Sequence, residues 1–176
     1  LVLIDTPFIY EEVTDHAVQL VRRQLDEAIP TMERIAGRTL TPKRLERTMA
    51  LAKEGVELWA AVMAMGQERP APISAFDEFF HMAPIVELRG DEVTVLYYRA
   101  LLEELRKRAR KGIGSVRNER KRLIWENLPV WVAVRKLSQQ LSETGGALGA
   151  STYTNAWGEL APLIDPSQPL ESAARV

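Results

Sequence analysis

The chain has no cysteine among its 176 residues. That excludes disulfides and any metal held by thiolates within it. Histidine is nearly absent too. His16 and His81 lie far apart, neither with a second ligand at helical spacing, so both read as plain surface or core residues. No apolar run reaches the ~18 residues that would span a bilayer. The net charge of −1 gives no general attraction to nucleic acid or to an anionic membrane, and neither is expected as a partner. A methionine start is also missing. Leu1-Val2-Leu3-Ile4 reads as a strand or linker entered midway, without the charged region or cleavage site of a signal peptide, so the chain reads as a piece of a longer protein. What is present, 46% hydrophobic and 27% charged residues, is the profile of a soluble globular protein, and a cytoplasmic location is expected.

The first 115 residues read as helical. Val18, Val21, Leu25, Ala28, Met32 and Ile35 lie on one helical face, which Pro30 should kink or split and Gly37 should end. Thr41-Pro42 has the hydroxyl cap and first-turn proline of a helix start. From there Leu45, Met49, Ala52, Val56, Trp59 and Met63 form a seam for another helix. Ser74-Ala75-Phe76-Asp77 fits a capping box for a short helix through Phe79 and Phe80. After Pro84 the pattern restarts at Gly90-Asp91, with Val95, Tyr98, Leu102, Leu105 and Ala109 on one face before Gly112 and Gly114.

Residues 116–176 change character. Leu123-Ile124-Trp125 is a short strand, a helix is expected from about Val130 to Ser142, Gly145-Gly146 stops it, and Ala147–Ala150 is a second strand. This β-α-β order predicts parallel strands. The fold class is therefore a predominantly helical α/β protein: an N-terminal helical region over 1–115, then part of a parallel-sheet, Rossmann- or flavodoxin-like domain over 116–176. Two parallel strands cannot bury both faces alone, so the second region reads as truncated.

Ligands of open parallel sheets bind at the carboxyl ends of strands. Glu126 and Asn127 end the first strand; Ser151 and Tyr153 end the second. Adjacent strands would gather these polar groups at one rim beside a helix N-terminus, an arrangement suited to a thioester carbonyl or a phosphate. The plain alternative is a strand-to-helix turn with Trp131 and Trp157 in the core. Nine cations between Arg106 and Arg122, opposed by Glu119 alone, read first as a solvated helix end and otherwise as a contact for coenzyme phosphates. No aromatic residue interleaves them, which argues against nucleic acid. Asp77-Glu78 and Glu103-Glu104 are neighbours pointing different ways, not carboxylate dyads. The glycines of Gly145–Gly149 precede a strand, the wrong context for a dinucleotide fingerprint.

Asp5-Thr6-Pro7, Arg69–Pro72, Met82–Ile85 with Leu88–Gly90, Tyr97-Tyr98 ahead of Leu102–Leu105, Arg122–Trp131, Ser151–Tyr153 with Trp157, Asp165-Pro166, Pro169-Leu170 and Ala174-Arg175 follow one another in an order that resembles the 2-hydroxyacyl-CoA dehydratase D-component and benzoyl-CoA reductase subunit family. Asn127 stands where that pattern leads one to expect glycine. The resemblance implies a subunit with a helical portion and two α/β domains whose cysteines hold a [4Fe-4S] cluster, the first domain ending before Leu1 and the second continuing past Val176. It implies a homologous second subunit, an ATP-dependent activator protein, and ketyl-radical chemistry on an acyl-CoA thioester. This chain would hold no cluster itself and would be inactive alone, with Glu126, Asn127, Trp131, Ser151 and Tyr153 lining the substrate pocket. A non-catalytic helical scaffold, supported by the Leu45–Met63 seam, is the alternative.

Overall fold

A computed structural model describes residues 2–176. Helix α1 (Asp15–Ala36) begins at Thr14, whose hydroxyl accepts the Ala17 N–H, and ends at Gly37, whose φ of 63° turns the N–H back to the Glu33 carbonyl. The helix runs unbroken through Pro30, so the expected split does not occur. Pro30 and Asp26, whose carbonyl loses its amide partner, both lie on the exposed side, where water can solvate the freed group. Helix α2 (Pro42–Ala64) starts at the Thr41 cap as the sequence predicts.

A turn at Met65–Gln67 leads to α3 (Ala75–His81), whose start is fixed by the Asp77 carboxylate accepting both the N–H (2.9 Å) and the hydroxyl (2.8 Å) of Ser74. Short α4 (Ala83–Glu87) and Asp91-capped α5 (Glu92–Arg110) follow. Val56, Trp59 and Val62 of α2 pack with Tyr98, Leu102 and Leu105 of α5 to form the main core, which Ile164 closes from the far end of the chain. The buried Tyr98 hydroxyl accepts the Ile85 N–H (3.0 Å) and donates to the His81 carbonyl (2.9 Å), tying α4 to α5.

Strands β1 (Lys121–Trp125) and β2 (Gly146–Ser151) pair in parallel, with one register shift between Leu123 and Ile124. Between them, α6 (Val134–Glu143) begins four residues later than the sequence suggests. Pro129 and the tight turn Trp131–Ala133 occupy the approach, and no Ser, Thr, Asp or Asn is there to cap an earlier start. A second cluster joins Phe76 and Phe79 of α3, Val134 of α6 and Leu148 of β2. Beyond β2 come α7 (Thr152–Asn155), a turn at Ala161–Leu163, and α8 (Pro169–Arg175), which packs on α1. Among the described residues no helix is long and apolar enough to cross a membrane.

Where the sheet meets the helices, Gly66 and Gly149 bring two backbones together. A Cβ on Gly66 would lie 2.5 Å from the Gly149 carbonyl oxygen, whereas one on Gly37 would meet nothing within 4 Å. Gly66→Ala should therefore cost about 2 kcal/mol or more, because backbone must move. Gly37→Ala should cost only about 1 kcal/mol, from left-handed strain. Chemical denaturation of both variants checks the order; equal losses would rule out close backbone docking at Gly66.

Candidate site at the carboxyl ends of the strands

The parallel register sets Trp125 opposite Ser151 at the ends of β1 and β2. Just past Trp125 the chain turns through Asn127 at φ 73°. This left-handed conformation is one that glycine adopts freely. Asparagine is among the few other residues that adopt it at modest cost. The Asn127 N–H donates to the Thr152 hydroxyl (3.1 Å), and its side-chain oxygen accepts the Leu128 N–H (2.7 Å). The first bond joins the two strand ends directly.

The residues singled out from sequence divide at this rim. Glu126 and Asn127 are exposed. Trp131 is half exposed and stands edge-on to Phe79, with ring centres 6.1 Å apart. Tyr153 lies 6.4 Å from Phe79 and 6.5 Å from Trp131. Asn127, Trp131 and Tyr153 thus border an aromatic wall built on Phe76, Phe79 and Trp125. Ser151 is placed differently: its side chain is buried, and the hydroxyl has no protein hydrogen-bond partner. The helix N-terminus expected beside these groups is slight, since α7 has four residues and α6 starts only after the 131–133 turn. Trp157 packs against the main core, with the Arg89 guanidinium 5.2 Å from its ring centre.

Sequence reasoning missed Glu78. It is 1% exposed, yet carries a carboxyl group between α3 and α7. The Thr154 hydroxyl donates to that carboxyl (2.7 Å), while the Thr154 carbonyl accepts the Trp59 indole N–H (3.1 Å). Burial pushes the Glu78 pKa up to about 7; the Thr154 hydrogen bond opposes the rise and the Asp77 charge adds to it. Glu78 also borders a cleft of about 380 Å³ with Met63, Gln67, Ser151 and Asn155. A carboxyl group balanced between its protonation states near neutral pH can donate or accept a proton. The signal was present: Glu78 lies three residues after Ala75 and four before Met82, on the inward face that Phe79 shares.

These residues do not fit an iron–sulfur cluster. The chain has no thiolate, and among the described residues no three His, Asp or Glu side chains meet as a metal site.

A family model described as 2-hydroxyglutaryl-CoA dehydratase, D-component, matches residues 1–175. The chain is 34% identical to the (R)-2-hydroxyisocaproyl-CoA dehydratase alpha subunit of Clostridioides difficile, over 89% of this chain and 39% of that protein. It is 30% identical to the (R)-2-hydroxyglutaryl-CoA dehydratase alpha subunit of Acidaminococcus fermentans, over 90% and 34%. With a benzoyl-CoA reductase subunit of Thauera aromatica it shares 28%, over 93% and 40%. The chain spans about two fifths of the length of the curated relatives it matches.

Glu78 should leave a mark on stability. Between pH 4.5 and about 7 the unfolded chain releases the proton that the folded chain retains, so folding weakens as pH rises through this window and levels off above it. The contribution is about 3 kcal/mol at most. Urea unfolding at pH 5 and pH 8 should show this loss, and Glu78→Gln should remove most of it. An unchanged pH slope in the variant would mean that Glu78 is ionised in the fold.

Proposed function

Since the chain belongs to the 2-hydroxyglutaryl-CoA dehydratase D-component family, we propose that it is part of an acyl-CoA-processing subunit of 2-hydroxyacyl-CoA dehydratase type. The observation that carries this reading is the family match over residues 1–175. The dehydratase assignment is preferred over ring reduction because identity to the Clostridioides difficile alpha subunit is 34%, against 28% to the reductase relative. Each of these relatives is named as one subunit of its enzyme, which supports pairing with a homologous second subunit. An ATP-dependent activator would complete the system. A [4Fe-4S] cluster would supply one-electron chemistry on the thioester, with ligands from outside these 176 residues.

The part assigned to this chain is binding and orientation. Trp131 and Tyr153, packed edge to face with Phe79, give the coenzyme-bound acyl group an apolar wall, as aromatic side chains do in pockets for partly apolar ligands. The Asn127 side-chain amide and the Glu126 carboxylate border the wall from the solvent side. The Asn127–Thr152 bond joins the segments that follow the two strands. Ser151 is buried at the end of β2 and borders the Glu78 cleft, so its part would be to support the strand end.

The test uses the full-length subunit, purified without oxygen together with its partner and assayed with the activator, ATP and a low-potential electron donor. Near-equal iron and acid-labile sulfide, with turnover of 2-hydroxyacyl-CoA thioesters but not benzoyl-CoA, is the expected result. A folded, iron-free protein inert toward both would reject the reading. Within the active enzyme, Trp131→Ala should raise KM about tenfold, Tyr153→Phe should lower turnover, and Asn127→Gly should be tolerated better than Asn127→Ala. Kinetics unchanged in all four variants would remove these residues from the substrate wall.

A further inference from the structure

The basic run from Arg106 to Arg122 is not one surface. On α5, Lys107 and Arg108 pair with Glu104, one turn away, and remain solvated. Arg122 is internal wiring. Its Nε donates to Glu119 (2.7 Å), and its terminal nitrogens donate to the carbonyls of Gly66, Gln67 and Glu68. Arg122 and Glu119 also border an open basin of about 900 Å³ at the α5–β1 connection, lined by two further cations of the run, Arg117 and Arg120, and by Arg69 from the loop before α3.

The basin is positive because its one acid is already engaged. Glu119 accepts from Arg122 through one oxygen and from the Ala71 N–H (2.7 Å) through the other. Among the described residues, Arg69 and Arg117 have no carboxylate within ion-pair distance, and Arg120 donates only to the Thr144 carbonyl (3.0 Å). The two loops that carry these arginines are also fixed to each other. The Ser115 N–H (2.7 Å) and hydroxyl (3.1 Å) both donate to the Ala71 carbonyl. A Cβ on Gly114 would fall 2.7 Å from the Pro70 ring, so the loops meet in direct contact. Three exposed arginines are therefore carried on loops fixed around one polar hollow, and among the described residues none has a carboxylate partner.

Building on the acyl-CoA reading, we propose that this basin binds the phosphate-bearing nucleotide end of coenzyme A. Guanidinium groups bind phosphate oxygens through paired, charge-assisted hydrogen bonds. The basin's volume falls within the range of small-molecule and cofactor sites. Its lining of arginine, glycine, serine and asparagine suits a hydrated anion, whereas the aromatic wall at the strand ends suits the acyl group. The basin lies at the amino ends of β1 and β2 and the wall at their carboxyl ends, so one ligand reaching both would have to span the five residues of β1, roughly 17 Å.

The experiment is calorimetric titration of the full-length subunit, in complex with its partner, with coenzyme A and separately with pantetheine, which lacks every phosphate. Coenzyme A should bind more tightly, by an increment that shrinks as salt is added. Arg69→Ala/Arg117→Ala should weaken coenzyme A by about tenfold or more while leaving pantetheine unchanged. Both side chains are exposed, so thermal unfolding should match the parent; if the double variant is poorly folded, Arg117→Ala alone and the parent's salt dependence carry the decision. A double variant that binds coenzyme A as the parent does would overturn the assignment. So would one that loses subunit pairing while keeping its affinity for coenzyme A, since the basin would then be a protein interface. If the parent binds pantetheine as tightly as coenzyme A, only the basin assignment falls. If it binds neither, the acyl-CoA reading falls and takes the basin with it.

Discussion

Thr154 joins the helical layer to the sheet. Its carbonyl accepts the Trp59 indole and its hydroxyl donates to Glu78, so α2, α3 and α7 meet through one buried residue. None of these polar groups could be buried alone without a cost of about 1–3 kcal/mol; together they satisfy one another. The consequence extends along the chain. With Thr154 fixed, the end of β2 has one position, Tyr153 is set beside Phe79, and the Thr152 hydroxyl is placed to receive the Asn127 N–H. The candidate site is thus held from beneath by a core contact rather than by its own surface groups.

The sheet is unevenly covered. β2 is buried along most of its length, against α3 and α6, while Leu123 and Ile124 of β1 are 46% and 73% exposed. Parallel strands normally have both faces covered, and this chain spans about two fifths of its relatives. Leu128, Val130, Trp131 and Val132 continue the exposed apolar run past the end of β1. The aromatic wall therefore adjoins a contiguous run of exposed apolar side chains, the kind of surface that marks an interaction site.

Much of the fold was legible because local chemistry decides it. The Thr41 cap, the Ser74–Asp77 box, the Gly37 stop and the α2 seam all depend on residues within one or two turns. The parallel pairing followed from the β-α-β order. Whether Pro30 splits its helix depends on which side of the helix meets water, a tertiary fact, and the helix is not split. The late start of α6 reflects what the 129–133 segment lacks in capping groups. At the site, the position of Asn127 could be read, but the inward turn of Ser151 could not. Glu78 needed Thr154, seventy-six positions away, to make burial of an acid tolerable.

The arginines of residues 106–122 show why a charge run cannot be read as a unit. Composition gives every cation there the same weight, yet the fold assigns them different tasks. Arg122 lies beside three carbonyls at the end of α2 because the Gly66–Gly149 contact brings that turn against β2, beside which β1 pairs. Its guanidinium is neutralised by Glu119, which is in turn held by the Ala71 N–H. Glu119 and Arg122 both border the basin, but they neutralise each other, so the unpaired arginines beside them leave the hollow positive.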